Sequence, residues 1–331
     1  MKNSINYTFS TISCLLLLAL FATACKQNKA LVIDSNTKMT SPPKVELVYQ
    51  INSKLGEGAY WNHKTQEFWW IDIEDKKFYI FDPVTGKNAT HSLPSKVGTV
   101  VPSSSGSAIL ATEEGIIEYA LDTKDYRLIS DVDSDIKTTR LNDGKCDPAG
   151  RLWVGSMDLN TTKPYGSLYS VDKGNVTKHL SDITISNGII WTKNNKTMYY
   201  IDTPTGVVMA YDFDNKSGTI SNGRTAVKVD PNLGYPDGMA IDENDNLWVC
   251  LWNGNAVVNF DPRTGKLIQK IEVPAHNVTS CAFGGPDLDI LYITTATVDM
   301  SDEELNALPL SGSLFKCEPG VKGVKSSVYK L

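Results

Sequence analysis

The sequence predicts an all-β chain folded as a six-bladed β-propeller, and three observations predict it. One plan, two β-rich runs split by a polar or glycine-containing turn, occurs six times along the chain. Its anchor positions, Phe68, Ala108, Leu152, Met198, Leu247 and Leu291, stand 40 to 49 residues apart. Amphipathic helical patterning is almost absent. Units of this length, rich in β-branched and aromatic residues, match four-stranded blades set around a channel. A β-sandwich would not repeat one plan six times, and the periods are too long for β-helix coils.

Taken in chain order, each element follows from its own residues. The early run Val45-Glu-Leu-Val-Tyr49 is expected to join the last blade and close the ring, which hides the edges that an open sheet exposes. The six units then cover residues 68–87, 107–125, 151–158 with 166–175, 197–218, 246–266, and 290–299 with 312–320. Second runs end in an aspartate and a turn, as in Asp82-Pro-Val-Thr-Gly86 and Asp261-Pro-Arg-Thr-Gly265. These are hairpin signals between strands. The one helix expected is Ser301 to Leu308, with Ser301 as N-cap and acids in the first turn.

The N-terminus carries a different signal. Lys2 precedes an apolar run from Cys14 to Ala24, and Cys25 follows. A short basic region, an apolar stretch and small residues before a cleavage point read as an export signal, and the run is too short to span a bilayer. Ala22-Thr-Ala-Cys25 resembles a bacterial lipobox, with Ala22 where Leu or Val is usual. The expected organisation is a lipoprotein-type signal over 1–25, a flexible tether over 26–44 and a propeller over 45–331. That makes an exported, monomeric protein, periplasmic or at the cell surface, held to the membrane by a lipid on Cys25. Cys146, Cys250, Cys281 and Cys317 show no CxxC spacing, so thiolate zinc is not expected and buried free thiols are.

Composition narrows the function classes. A hydrophobic content of 41% suits a soluble domain with a sizeable core. The net charge of −6 removes the basic footprint that nucleic acid requires. No GxSxG, HExxH, P-loop or GxGxxG unit is present, so serine, zincin and nucleotide chemistries lack their usual residues.

What remains is a second repeat. Small clusters with glycine come just before each innermost-strand candidate: Gly56-Glu-Gly58, Val97-Gly98, Asn142-Asp-Gly144, Ser186-Asn-Gly188 and Pro236-Asp-Gly238, with Thr279-Ser-Cys281 in the sixth unit. Equivalent positions of different blades face one another across the axis. Glu57, Asn142 or Asp143, Asn187 and Asp237 are therefore expected to converge at one end of the channel. Glycine there lets the backbone turn tightly and approach a ligand. Two carboxylates with amide oxygens suit one hard divalent cation: calcium first, magnesium or manganese next, zinc as a further option. Arg140, two residues before Asn142, is placed to donate to a hydroxylated or anionic substrate. His63, His91, His179 and His276 are expected in turns or connecting segments, outside the site.

The words Leu55-Gly-Glu-Gly58, Thr139-Arg-Leu-Asn-Asp-Gly-Lys-Cys-Asp-Pro-Ala-Gly-Arg151, Ile185-Ser-Asn-Gly188, Tyr235-Pro-Asp-Gly-Met239 and Val278-Thr-Ser-Cys-Ala-Phe-Gly-Gly285 resemble the senescence marker protein/regucalcin/gluconolactonase family. The similarity runs from about Val45 to Gly323. It implies a six-bladed propeller with one divalent metal that hydrolyses sugar lactones such as gluconolactone. It puts the metal ligands on Glu57, Asn187 and Asp237, the substrate-binding pair on Arg140 and Asn142, and the general base on Asp237. After Gly155-Ser-Met157 the family's animal members carry acidic residues, one of which touches substrate. Here the stretch is Asp158-Leu-Asn-Thr-Thr-Lys163, so the sugar preference does not transfer. Two other classes remain beside a lactonase: an esterase or phosphotriesterase on the same scaffold, and a non-catalytic propeller that binds calcium or another ligand.

Overall fold

Six four-stranded antiparallel sheets succeed one another along the chain, and their innermost strands surround one axis. The coordinates are a computed structural model, and the structure describes residues 43–331. The expected signal, Cys25 and nearly all of the tether lie outside the described residues. Blades 1 to 5 each run outward in chain order. Blade 6 holds three late strands, and its outermost place is taken by Glu46–Tyr49, which pairs antiparallel with Leu314–Cys317. That is the ring closure expected of the early run.

Burial falls from the axis outward. The innermost strands of the six blades are Gly56–Asn62, Val97–Pro102, Thr139–Cys146, Ser186–Trp191, Tyr235–Ile241 and Asn277–Gly284, and nearly every residue in them is buried. The outermost strands, such as Lys87–Ser92 and Thr219–Lys228, are mostly exposed. The core therefore lies between blades, where neighbouring sheets bury apolar side chains. Tyr60, Trp69, Val100, Ile109, Leu141 and Leu152 form one such cluster across blades 1 to 3.

Two inward turns share one device. The Asp147 carboxylate accepts the backbone N–H groups of Ala149 and Arg151 and the Trp153 indole N–H. Asp242 does the same for Asn244, Asn246 and Trp248. One carboxylate thus folds the hairpin and fixes a fully buried tryptophan. The four cysteines within the described residues are buried and free, as expected. The helix Asp302–Ala307 forms with Ser301 as N-cap, completed by a capping box with Glu304.

The structure corrects two expectations. The glycine clusters do not precede the innermost strands but lie within them. The apolar runs anchored at Phe68, Leu152 and Leu247 are the second strands of their blades. His91 and His179 stand in outermost strands rather than in connections.

At the C-terminal ends of the innermost strands the chain crosses the channel. Val324 N–H donates to the Ile241 carbonyl, Tyr329 N–H to Pro102 and Lys330 N–H to Gly150. The Tyr60 hydroxyl donates to the Ser327 carbonyl. The C-terminal segment therefore covers this end of the channel, opposite the end that carries the acid–glycine pairs.

Candidate functional site

All six innermost strands break register at the same level: between Glu57 and Tyr60, Val97 and Thr99, Leu141 and Gly144, Asn187 and Ile189, Pro236 and Met239, and Val278 and Cys281. A bulge bends a strand and re-aims a side chain. Repeated around the ring, it turns Glu57, Arg140, Asn142, Asn187 and Asp237 toward one cavity of about 410 Å³. All five residues selected from the sequence line that cavity. Of the open pair Asn142 or Asp143, Asn142 lines it, and Asp143 is buried among the strands behind.

The acid–glycine pair has a local reason. Gly58 N–H donates to the Glu57 carboxylate at 3.0 Å, and Gly144 N–H donates to Asp143 at 2.8 Å. The bulge frees an N–H from the ladder, and the preceding acid takes it. Gly188 also answers to the neighbouring blade. A Cβ on Gly188 would stand 2.8 Å from Met239 Cγ and 2.9 Å from the Asp237 carbonyl.

A buried hydrogen-bond chain orients the amides. Arg140 Nη1 donates to the Leu141 carbonyl at 3.1 Å and to Asn142 Oδ1 at 2.5 Å. Asn142 Nδ2 donates to the Ser186 carbonyl at 2.7 Å and to Asn187 Oδ1 at 3.2 Å. Asn187 Nδ2 donates to Thr203 Oγ1, whose hydroxyl donates to the Pro236 carbonyl. The chain links blades 3, 4 and 5 and leaves Asn187 Oδ1 with acceptor capacity toward the cavity.

The carboxylates are the costly part. Glu57 and Asp237 are buried. Burial and the Asp143 charge push the Glu57 carboxyl up to about 8. Burial, Glu57 and Asp143 push the Asp237 carboxyl well above its ordinary range. Among the described residues neither enters an ion pair. The Lys145 ammonium lies buried nearby, donating to the Met239 carbonyl at 3.0 Å. Carboxyls buried in this way are held neutral or are paired with a cation. Among the described residues no three His, Cys, Asp or Glu side chains group as a metal site. The donors here are instead two carboxylates with amide oxygens, the set that hard divalent cations accept.

The wall of the cavity is built from residues outside the recurring acid–glycine words. Ile73, Leu159 and Thr203 line the cavity, each directly after an aspartate that ends a second strand: Asp72, Asp158 and Asp202. That recurrence was a usable signal. Asp72 and Asp202 also accept the N–H groups of Leu55 and Ile185, fastening the loops that enter the innermost strands. Glu74 and Lys96 pair at the cavity edge, Nζ 2.7 Å from both carboxylate oxygens. Tyr235 sits opposite Trp252 in register at the mouth.

A closed ring of six blades, with paired carboxylates and oriented amides at one end of its axis, defines the class: a propeller built around an axial polar site. The chain belongs to the SMP-30/Gluconolactonase/LRE-like family, whose profile matches residues 55–297. It is 38% identical over 265 residues to YvrE of Bacillus subtilis, a protein assigned by inference as a sugar lactone lactonase, covering 80% of this chain and 91% of YvrE. It is 36% identical to Xenopus laevis regucalcin, covering 86% of this chain and 98% of the relative. Among solved structures it is similar to a regucalcin from Agrobacterium tumefaciens described as a calcium-binding protein. That likeness has a TM-score of 0.84 and 28% identity, covering 88% of this chain and 98% of the other. A luciferin-regenerating enzyme superposes with a TM-score of 0.82 at 33% identity, covering 87% of this chain and all of that one.

Proposed function

We propose that this chain is a divalent-metal-dependent hydrolase that opens a small lactone to its hydroxy acid. The observation that carries the reading is the pair of buried carboxylates, Glu57 and Asp237, on the floor of the axial cavity with no ion-pair partner among the described residues. Family membership supports it, as do the activity assigned to YvrE and the calcium binding stated for the Agrobacterium regucalcin.

Glu57, Asn187 and Asp237 would hold one divalent cation, calcium first, with zinc, magnesium or manganese as alternatives. When bound, the cation supplies Lewis-acid polarisation of the ester carbonyl and acidifies water. The protein's own groups do the rest. Asp237 takes the proton of the attacking water at its carboxylate. It returns that proton to the ring oxygen as the acyl C–O bond breaks, so ester and water become carboxylic acid and alcohol. Arg140 spends Nη1 on Leu141 and Asn142, which fixes the guanidinium plane. Its remaining N–H groups serve a substrate oxygen. Asn142 keeps both Arg140 and Asn187 in place.

The test is lactone hydrolysis by calcium-loaded protein at constant pH, with paraoxon-type esters alongside to separate a phosphotriesterase. Asp237→Ala is expected to lose about 10²–10⁴-fold in rate, the usual worth of a general base. Near-wild-type turnover by Asp237→Ala with metal present would rule the assignment out. The calcium binding described for the Agrobacterium protein favours a second reading, a non-catalytic calcium propeller. Its signature would be calcium affinity without turnover of any ester.

A further inference from the structure

The cavity is polar at one end and largely apolar elsewhere. We propose that the lactone ring carries an apolar appendage, which lies against Leu55, Met157, Leu159, Ile185, Tyr235 and Trp252 while the ester end rests on the polar floor. The proposal rests on the lactonase reading and specifies its substrate.

Most polar groups on the wall are already engaged. Glu74 and Lys96 satisfy each other. The Asn142 amide is spent on Arg140, Ser186 and Asn187. Asn187 Nδ2 and the Thr203 hydroxyl are spent on Thr203 and Pro236 in turn. The Asp158 carboxylate faces its own turn, accepting the N–H groups of Thr162 and Lys163 at 3.0 Å each. This leaves Leu159 and Thr161 to face the cavity from that loop. Deep in the site, the polar groups not spent on the protein itself are Glu57, Asp237, the Asn187 Oδ1 oxygen and the remaining Arg140 N–H groups, all at the floor. Thr161, Asn253 and Asp299 stand exposed at the rim.

A polyhydroxylated ring presents hydroxyls on every side. Those turned to this wall would give up water and find carbon, which costs affinity. An alkyl or aryl group loses nothing there and gains burial. The mouth carries the same preference. Leu159 and Tyr235 are each 47% exposed, and Tyr235 is paired with Trp252 across the two inner strands of blade 5. Large apolar side chains held open around a polar floor are what an amphipathic ligand covers. The volume of about 410 Å³ takes a ring and a short chain.

The experiment uses the calcium-loaded chain and measures kcat/KM on δ-valerolactone, the same ring bearing a pentyl group beside the ring oxygen, and D-glucono-δ-lactone. The pentyl-bearing ring is expected to exceed the bare ring by about tenfold or more, in keeping with discrimination by apolar pockets, and to exceed the sugar lactone. Leu159→Asn and Tyr235→Ser should each pull the pentyl-to-bare ratio toward one. A sugar lactone preferred over the pentyl-bearing ring, or a ratio indifferent to both substitutions, overturns the appendage while lactone hydrolysis stands. No turnover of any of the three by metal-loaded protein overturns the lactonase reading itself.

Discussion

Gly98 has no side chain because the backbone of blade 3 occupies the space. An added Cβ would stand 2.4 Å from the Leu141 carbonyl oxygen and 2.6 Å from that of Asn142. Backbone cannot swing aside as a side chain does, so Gly98→Ala must push blade 3 away from the axis. Overpacking of this kind costs about 1–3 kcal/mol, and here it displaces the residue that holds both Arg140 and Asn187. The variant is expected to unfold at lower urea and to bind calcium more weakly. Wild-type calcium affinity at an unchanged urea midpoint would show that the blades have slack at this level. The acid–glycine pairs were legible in the sequence as a recurring word, and that word marked carboxylates and amides that the fold brings to one cavity. Its physics was only half legible. Of Gly58, Gly98, Gly144, Gly188 and Gly238, Gly58 alone has positive φ, at 65°. The others also meet atoms of a neighbouring blade that lies tens of residues away in the chain, and no local pattern reports such a contact.

The strands show why the blades were legible in the sequence and the innermost strand of each was not. The second strands, such as Glu67–Asp72 and Leu247–Trp252, are flanked by strands on both edges and buried on both faces, so they read as unbroken apolar runs. The innermost strands turn polar groups to the axis and carry a bulge, which in one dimension looks like a turn. The outermost strands are polar enough to read as connections, and that misplaced His91 and His179. His179 stacks on Trp153, ring centroids 4.1 Å apart, and its Nε2 lies 2.8 Å from the Ser170 hydroxyl. Burial, then the Arg151 charge, lowers its pKa from about 6.5 to about 4. The folded pKa lies below the unfolded one, so the neutral imidazole contributes stability fully above pH 6.5, and that contribution is lost as pH falls through about 4. The thermal midpoint is expected to decline over that window, and His179→Phe, which keeps the stack, should flatten part of the decline. Parallel curves for the two proteins between pH 6.5 and 4 would remove His179 from the acid response.

For the molecule as a whole, the axial site exists only while the ring is closed, since its donors come from blades 1, 3, 4 and 5. One of the ring's fastenings is four residues long. Glu46–Tyr49 supplies the outermost strand of blade 6, Tyr49 lies 6.3 Å from Phe81 between ring centroids, and Val48, Tyr49 and Ile51 pack on the cluster of Trp61, Trp70 and Tyr292. The sequence disclosed this strand because it is an apolar run with no partner in the first unit. It did not disclose the second fastening, in which the C-terminal segment reaches Ile241, Pro102 and Gly150 across the far end of the channel. A chain beginning at Pro43 keeps both fastenings and is expected to melt like the longer protein. A chain beginning at Asn52 exposes the edge of Leu314–Cys317 and loses part of the apolar packing, roughly 2–4 kcal/mol by buried area, or roughly 4–8 °C in midpoint. The far-end fastening predicts how that loss appears. It still ties blade 5 to blades 2 and 3, so blade 6 should lose amide protection first in hydrogen exchange, ahead of the strand that carries Asn142. Uniform exchange across all six blades in the shortened chain would mean that the ring opens as a unit and that the C-terminal crossing holds nothing on its own.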